Sequence, residues 1–330
     1  MQVAINGFGR IGRNVLRCIV ERNRDDIEVV AINDLAPIET NAHLLRYDSV
    51  HSRAPFDVKT SETTMDVGHG PIHMTSERDP SALDWSGIDV VLECTGIFTS
   101  RDTAQVHLEQ GAKRVLISAP ATGADKTIVY GINHNTLTSD DLIVSNASCT
   151  TNCLAPVAKV LNDAVGIEAG FMTTIHSYTG DQPTLDRGHK DLYRARAAAM
   201  NMIPTSTGAA RAVSLVLPEL EGKLDGVAIR VPTPNVSCID LTFQASRDTD
   251  KDEINAAIKK ACESELSGIL GLTDEKLVSL DFNHDSHSSI FAADQTHVVQ
   301  GRTCRVLSWY DNEWGFSNRM VDTAVAMGKL

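Results

Sequence analysis

The stretch "VAINGFGRIGRNVLRCIV", Val3 to Val20, limits the fold more than any other part of the chain. A short apolar strand runs into Gly7, Gly9 and Gly12 in the pattern G-x-G-x-x-G, and Ile11, Val15, Leu16 and Ile19 then recur at helical spacing. A second apolar run, "IEVVAIND", follows and ends on Asp34. The glycine triplet alone is a weak signal. Set between a strand and a helix, with an acid closing the next strand, it is the fingerprint of a dinucleotide site. Gly7 permits the tight turn, Gly9 lets a pyrophosphate approach the backbone, and Gly12 lets the helix pack closely. The helix start then offers free N–H groups and a positive dipole end to the phosphates. Asp34 is placed to accept hydrogen bonds from the adenosine ribose. Its charge repels a 2′-phosphate, which favours NAD over NADP.

The alternation continues. "IDVVLECTG" is a strand ending in a small-residue turn, "SRDTAQVHLEQGAK" reads as one helix capped near Ser100 and stopped at Gly111, and "KRVLISAPA" and "DLIVSNAS" are further strands. Strands alternating with helices predict an α/β, mostly parallel, doubly wound sheet, with ligands at the carboxyl ends of the strands. That places Thr95, Gly96 and Ser118 near the cofactor. After about residue 147 the texture changes to strand-like runs with few helices between them, which predicts a mixed or antiparallel sheet. Helices are expected at 149–164, 209–217 and 251–265. No internal repeat or low-complexity linker is visible.

Bulk properties narrow the function classes. The chain has 330 residues, enough for two domains, with a net charge of −13, which disfavours nucleic acid and anionic lipid as partners. No apolar run approaches the ~18 residues of a membrane span. "MQVAINGFGR" lacks the basic and apolar regions of a signal peptide. Seven cysteines are scattered with no disulfide-framework spacing, which predicts a cytoplasmic protein with reduced thiols. "DTDKDE" starts like a calcium loop but lacks the central glycine and terminal acid, so it reads as a helix start. "NHDSH" (His284, His287) has no partner ligands at metal spacing. "RARAAA" reads as a solvated face or a subunit contact.

The cysteines of "NASCTTNCLAP" carry the most chemistry. Cys149 is expected at the start of a helix, where N–H groups and the dipole stabilise a thiolate, and Cys153 one turn inside. Cys149 is therefore a candidate nucleophile, with buried structural thiols and metal ligands as the alternatives. His176, at the end of the strand "FMTTI", is the candidate base: an imidazolium beside a thiolate lowers the thiol pKa, and the imidazole can then shuttle protons.

Taken together, "INGFGRIGR", "SNASCTTNCLAP", "HSYTGDQ", "HKDLYRARAAA", "IPTSTGAA", "IRVPTPNVS" and "WYDNEWGFSNRM" resemble the phosphorylating glyceraldehyde-3-phosphate dehydrogenases over essentially the whole chain. The resemblance implies a doubly wound Rossmann NAD-binding domain over 1–147, joined by a C-terminal helix at about 315–330. It implies an α+β catalytic domain over 148–314. It implies oxidation of D-glyceraldehyde 3-phosphate by NAD and inorganic phosphate to 1,3-bisphosphoglycerate, through a hemithioacetal and thioester on Cys149 with His176 as base. Thr179, Asp181 and Arg230 match positions around the substrate's C3 phosphate, and Ser148, Thr150, Thr207 and Gly208 positions around the attacking phosphate. Arg194 matches a further phosphate contact. Asn312 matches the residue that fixes the nicotinamide carboxamide, Arg10 and Ile11 contribute backbone to the pyrophosphate, and Arg78 lies near the adenine. The resemblance also implies a homotetramer, in which the 178–201 segment lines a neighbour's cofactor site. Two departures stand out. Arg187-Gly188 replaces a Leu-Pro common in NAD-specific members, which leaves room for some NADP use, and Phe316 replaces a common tyrosine. The nearest alternatives are an erythrose-4-phosphate dehydrogenase, which hydrolyses its thioester, and a noncatalytic binding protein on the same fold.

Overall fold

The computed structural model describes all 330 residues. They form two compact units, Met1–Ser148 with Ser317–Leu330, and Cys149–Phe316.

The first unit opens with β1 (Gln2–Asn6), α1 (Arg10–Glu21), β2 (Glu28–Asn33) and α2 (Ile38–Arg46). The short ribbon of β3 (Tyr47–Asp48) and β4 (Ser52–Arg53) follows, then β5 (Lys59–Thr60), β6 (Thr64–Asp66) and β7 (Pro71–Thr75). The unit continues through β8 (Val90–Glu93), α3 (Arg101–Ala104), α4 (Val106–Glu109), β9 (Arg114–Ile117), β10 (Lys126–Thr127) and β11 (Ile143–Ser145). Nine strands make one sheet in the order β10-β11-β9-β8-β1-β2-β7-β6-β5. The strands from β10 to β7 pair in parallel and the β5–β6–β7 edge is antiparallel. The apolar runs of β1 and β8 are buried on both faces, as a covered parallel sheet requires. Strand order reverses at β1, which pairs with β2 on one side and β8 on the other. The carboxyl end of β1 is where a doubly wound sheet opens a ligand crevice.

The glycines fit this position. Gly7 has φ +91°, and a Cβ there would lie 2.7 Å from the Thr95 nitrogen. A Cβ at Gly12 would lie 2.2 Å from the Gly7 carbonyl oxygen, so α1 sits directly on the turn. Gly9 has no atom within 4 Å of that position, which leaves its backbone open to a ligand. Gly12→Ala is accordingly expected to destabilise the protein by about 1–3 kcal/mol and to weaken NAD binding. Thermal unfolding and NAD titration would show this, and unchanged stability would contradict the close packing.

The segment expected as one helix over 100–113 is two four-residue helices, α3 and α4. Ser100 caps the first through the Thr103 N–H. An i→i+3 bond from Leu108 N to Gln105 O then tightens the chain, and the His107 side chain is carried into the interior.

The second unit begins with α5 (Cys149–Val165), β12 (Ile167–Ser177), β13 (Ile203–Ser206), α6 (Ala209–Ala212), β14 (Leu224–Val231) and β15 (Ser237–Ala245). It continues with α7 (Lys251–Glu263), β16 (Leu270–Thr273), β17 (Ser289–Ala292), β18 (His297–Val299) and β19 (Thr303–Tyr310). The sheet runs β13-β14-β12-β15-β19-β17-β16, with β18 beside β19. It is mixed: β12–β14 and β16–β17 are parallel and the other pairs antiparallel. α5 buries Cys153, Leu154, Ala155, Val157, Ala158 and Leu161 completely. Asp250 caps α7 by accepting from the Glu253 N–H at 2.8 Å, which accounts for "DTDKDE" as a helix start.

The final helix, α8 (Trp314–Gly328), belongs to the first unit from Ser317 onward. There Asp322 pairs with Arg24 at 2.8 Å, and the Thr323 hydroxyl donates to Asn146 Oδ1 at 2.8 Å.

Candidate active site and cofactor cleft

In the second unit the register of two parallel strands assembles the chemistry. β12 and β14 place His176 directly beside Arg230. Alternation along β12 turns Thr174 and His176 to the same face, and both are buried. Cys149, the first residue of α5, brings its Sγ to 3.5 Å from His176 Nε2. His176 Nδ1 lies 2.7 Å from its neighbour's carbonyl, Ser177 O. That carbonyl calls for an N–H at Nδ1, which leaves the Nε2 lone pair facing the sulfur. Arg230 Nη1 donates to Ser177 O at 3.1 Å and to Thr179 Oγ1 at 3.0 Å, against the same imidazole.

The electrostatics are mixed. Burial pushes the Cys149 thiol up, opposed by the Arg230 charge and by hydrogen bonds from Thr150 and the helix start. Burial, with Arg230 second, pushes the His176 imidazole down to about 3. The sequence led us to expect the helix start and an imidazolium to lower the thiol outright; desolvation acts against both charged forms. A proton leaving Sγ has Nε2 beside it to accept it. Cys153 is different in kind. It is fully buried, its sulfur lies 3.2 Å from Ser289 Oγ, and desolvation holds its thiol far above the usual range.

Polar groups suited to anions surround this pair. Thr179 Oγ1 bonds Asp181, and Arg194 Nη1 reaches Asp181 Oδ2 at 3.1 Å. Arg194 Nε donates to Thr205 Oγ1 at 3.1 Å, and Thr205 in turn donates to Asp191 Oδ2 at 2.8 Å. Thr205 and Asp191 were not visible as site residues in the sequence. Arg230 Nε is a buried donor without a partner, as expected of a group that binds an incoming anion. Thr207 Oγ1 accepts from Ala209 N at 3.2 Å, and Gly208 is exposed with open space at its Cα. Ser148 is half-buried immediately before α5. The Thr150 hydroxyl is turned inward, 2.8 Å from Tyr310 Oη, so an anion would have to share it. Asn312 Oδ1 accepts from Ser177 and Ser237 hydroxyls, each at 2.8 Å.

The first unit holds a cleft of about 490 Å³ at the carboxyl end of β1. Gly7, Gly9, Asp34, Arg78 and Thr95 line it, with Asn6, Glu77 and Phe98. Asp34 Oδ2 accepts from Phe8 N at 2.8 Å and Oδ1 from Ala36 N at 2.9 Å, which fixes the carboxylate and leaves lone pairs for ribose hydroxyls. The Arg10 side chain is committed to Asp48 at 2.5 Å, so Arg10 and Ile11 can serve a pyrophosphate through backbone N–H groups only. Gly96 is exposed after the β8 turn, and Ser118 follows β9; neither lines this cleft.

One network here escaped the sequence reading. Glu93, fully buried at the end of β8, accepts from Asn6 Nδ2 at 2.6 Å, from Thr95 N at 2.8 Å and from the Thr95 hydroxyl. His107 Nε2 lies 2.9 Å from it, and His107 Nδ1 accepts from Trp85 Nε1 at 3.0 Å. These bonds fix Asn6 and Thr95, two residues that line the cleft. The only sequence signal was a charged residue at the end of an apolar strand. His284 stacks on Trp314 with centroids 3.5 Å apart, and His287 lies 2.7 Å from Asp285.

Comparison with known proteins gives the family. Residues 1–101 match the family model of the glyceraldehyde 3-phosphate dehydrogenase NAD binding domain, and residues 148–312 that of the C-terminal domain. The chain is 70% identical over 330 residues to a glyceraldehyde-3-phosphate dehydrogenase of Cereibacter sphaeroides, covering all of this chain and 99% of that one. It is 71% identical to the one of Xanthobacter flavus, with the same coverage, and 54% identical to glyceraldehyde-3-phosphate dehydrogenase 1 of Bacillus subtilis, covering all of this chain and 98% of that one. An NAD-binding unit, a cysteine–imidazole pair and anion-binding groups, with relatives this similar over their full length, place the chain in the glyceraldehyde-3-phosphate dehydrogenase family, as an NAD-dependent oxidoreductase.

Proposed function

We propose that the enzyme oxidises D-glyceraldehyde 3-phosphate with NAD and inorganic phosphate to 1,3-bisphosphoglycerate, with Cys149 as nucleophile and His176 as base. The observation that carries this is the 3.5 Å approach of Cys149 Sγ to His176 Nε2, with Arg230 against the same imidazole. The sulfur adds to the aldehyde carbon and forms a hemithioacetal. His176 Nε2 removes the hydroxyl proton as the carbon–hydrogen bond breaks and its electron pair leaves as hydride. NAD, bound by the first unit, supplies the hydride acceptor. The resulting thioester keeps the free energy of oxidation. A phosphate oxygen then attacks the acyl carbon, and Cys149 leaves as thiolate.

Arg230, Thr179 and Asp181 surround the C3 phosphate in this reading, Ser148, Thr150, Thr207 and Gly208 hold the attacking phosphate, and Arg194 is a further phosphate contact. Arg230→Ala is expected to raise KM for glyceraldehyde 3-phosphate about 10–100-fold, the loss of one or two charge-assisted bonds. The KM for unphosphorylated glyceraldehyde should change far less, while kcat falls with both aldehydes because Arg230 also touches the imidazole. An equal rise in KM with both aldehydes would contradict the assignment.

Asp34 supports NAD as the preferred cofactor. Arg187 and Gly188 are exposed, which is compatible with some NADP use. A kcat/KM for NADP equal to that for NAD would contradict the preference. In the 178–201 segment Leu185, Leu192 and Met200 are 73%, 82% and 76% exposed, which supports a subunit contact and the homotetramer. Seven free thiols support a reducing, cytoplasmic setting. The deciding experiment is the phosphate dependence of steady-state NADH production. Sustained turnover should require inorganic phosphate, and a rate indifferent to it would replace this reading with a hydrolytic aldehyde dehydrogenase.

A further inference from the structure

The side-chain amide of Asn312 is held from one side only. Its Oδ1 accepts the hydroxyls of Ser177, the last residue of β12, and Ser237, the first of β15, both at 2.8 Å. The two serines are 0% and 1% exposed. Ser237 Oγ already accepts the Ser177 backbone N–H at 3.1 Å, and the two hydroxyls lie 3.3 Å apart. Two buried hydroxyl protons thus converge on one acceptor. Turning the amide over would set its NH₂ against the serine oxygens; one hydroxyl could then donate to the other, but the second proton would have no acceptor, which buried donors rarely lack. Asn312 is therefore locked with Oδ1 toward the serines and Nδ2 on the opposite side. Nδ2 is not among the buried atoms left without a partner.

We propose that Ser177 and Ser237 are positioning residues for the cofactor. They fix Asn312 as a hydrogen-bond donor, so that the nicotinamide carboxamide is accepted through its carbonyl oxygen and not through its amino group. This rests on the reading that Asn312 holds the carboxamide. The direction of one amide then decides which way the carboxamide points, and with it which face of the ring is offered to the hydride. Ser177 also acts through its backbone, since its carbonyl takes the Nδ1 proton of His176 at 2.7 Å. One residue thereby orients both the base and the group that orients the hydride acceptor.

The test compares binding, on the full-length enzyme, of NAD, of ADP-ribose, which lacks the nicotinamide, and of 3-acetylpyridine adenine dinucleotide, which keeps the carbonyl and lacks the amino group. The wild type should bind the acetylpyridine analogue within about threefold of NAD. A loss above about tenfold would mean that the amino group is recognised, and would overturn the proposal. The double variant S177A/S237A should bind NAD about 5–10-fold more weakly and ADP-ribose unchanged. S177A, which leaves Ser237 to accept the backbone N–H, should show a smaller loss of the same selective kind and serves if the double variant does not fold. Equal weakening of NAD and ADP-ribose, or no weakening of either, would overturn the positioning role. Asn312→Ala separates the two claims. If it leaves NAD binding unchanged, the assignment of Asn312 itself fails. If it weakens NAD while the serine variants do not, only the positioning role fails.

Discussion

Cys149→Ser is expected to reduce NADH formation from glyceraldehyde 3-phosphate by about 10⁴-fold or more, while NAD binding is retained. A serine hydroxyl is close to the thiol in size but is a far weaker acid and a poorer leaving group, and an ester would not conserve the free energy that a thioester carries. NAD binding should survive because the cleft proposed for the adenosine end is lined by residues between Asn6 and Phe98 in the first unit, and Cys149 belongs to the second. Steady-state NADH absorbance and an NAD titration by fluorescence quenching measure the two halves. Turnover within tenfold of wild type would remove Cys149 from its assigned role.

His176→Ala is expected to lower kcat by about 10²–10⁴-fold, the usual contribution of a positioned base. It should also change how Cys149 titrates. Burial raises the thiol pKa and lowers that of the imidazole to about 3. In the wild type the proton on sulfur can pass to Nε2, so the reactive thiolate forms within the pair. Without the imidazole the proton must leave to solvent against the desolvation penalty. The apparent thiol pKa therefore rises, and the thiolate fraction at neutral pH falls. The rate of alkylation by iodoacetamide against pH reads this directly: the variant's inflection should move to higher pH and its rate at pH 7 should fall. An inflection that stays in place would mean that Arg230 and the helix start govern the thiol without the imidazole.

The features legible in the sequence share one property, that their meaning is local. Gly7, Gly9 and Gly12 announce a strand–turn–helix within a few residues, and the structure supplies the contacts that demand them, at 2.7 Å for Gly7 and 2.2 Å for Gly12. Cys149 was readable as a helix start because a strand, a small-residue turn and an apolar periodic run meet there. What stayed hidden was set by strand register. Arg230 meets His176 only because β14 lies parallel to β12 in one alignment, across 54 residues of chain. A one-residue slip would have sent Arg230 to the other face. Glu93, His107 and Trp85 join through the interior, and no periodicity signals a buried carboxylate that a neighbouring helix must bend to reach. The break between α3 and α4 and the inward-turned Thr150 hydroxyl have the same origin: tertiary contacts that outweigh local preference. The electrostatic reading also needed the structure, since burial opposes what the helix start and the imidazole favour.

A thioester on Cys149 that only phosphate resolves stands at the centre of this mechanism. Rapid mixing of the enzyme with NAD and glyceraldehyde 3-phosphate, with no phosphate present, tests it most directly, followed by mass spectrometry of the quenched protein. The prediction is a burst of one NADH per active site, then a stall, with a phosphoglyceroyl group on the peptide that carries Cys149 and its release as acyl phosphate when phosphate is added. NADH formation that continues past one equivalent without phosphate, or an acyl group on any other residue, would contradict it.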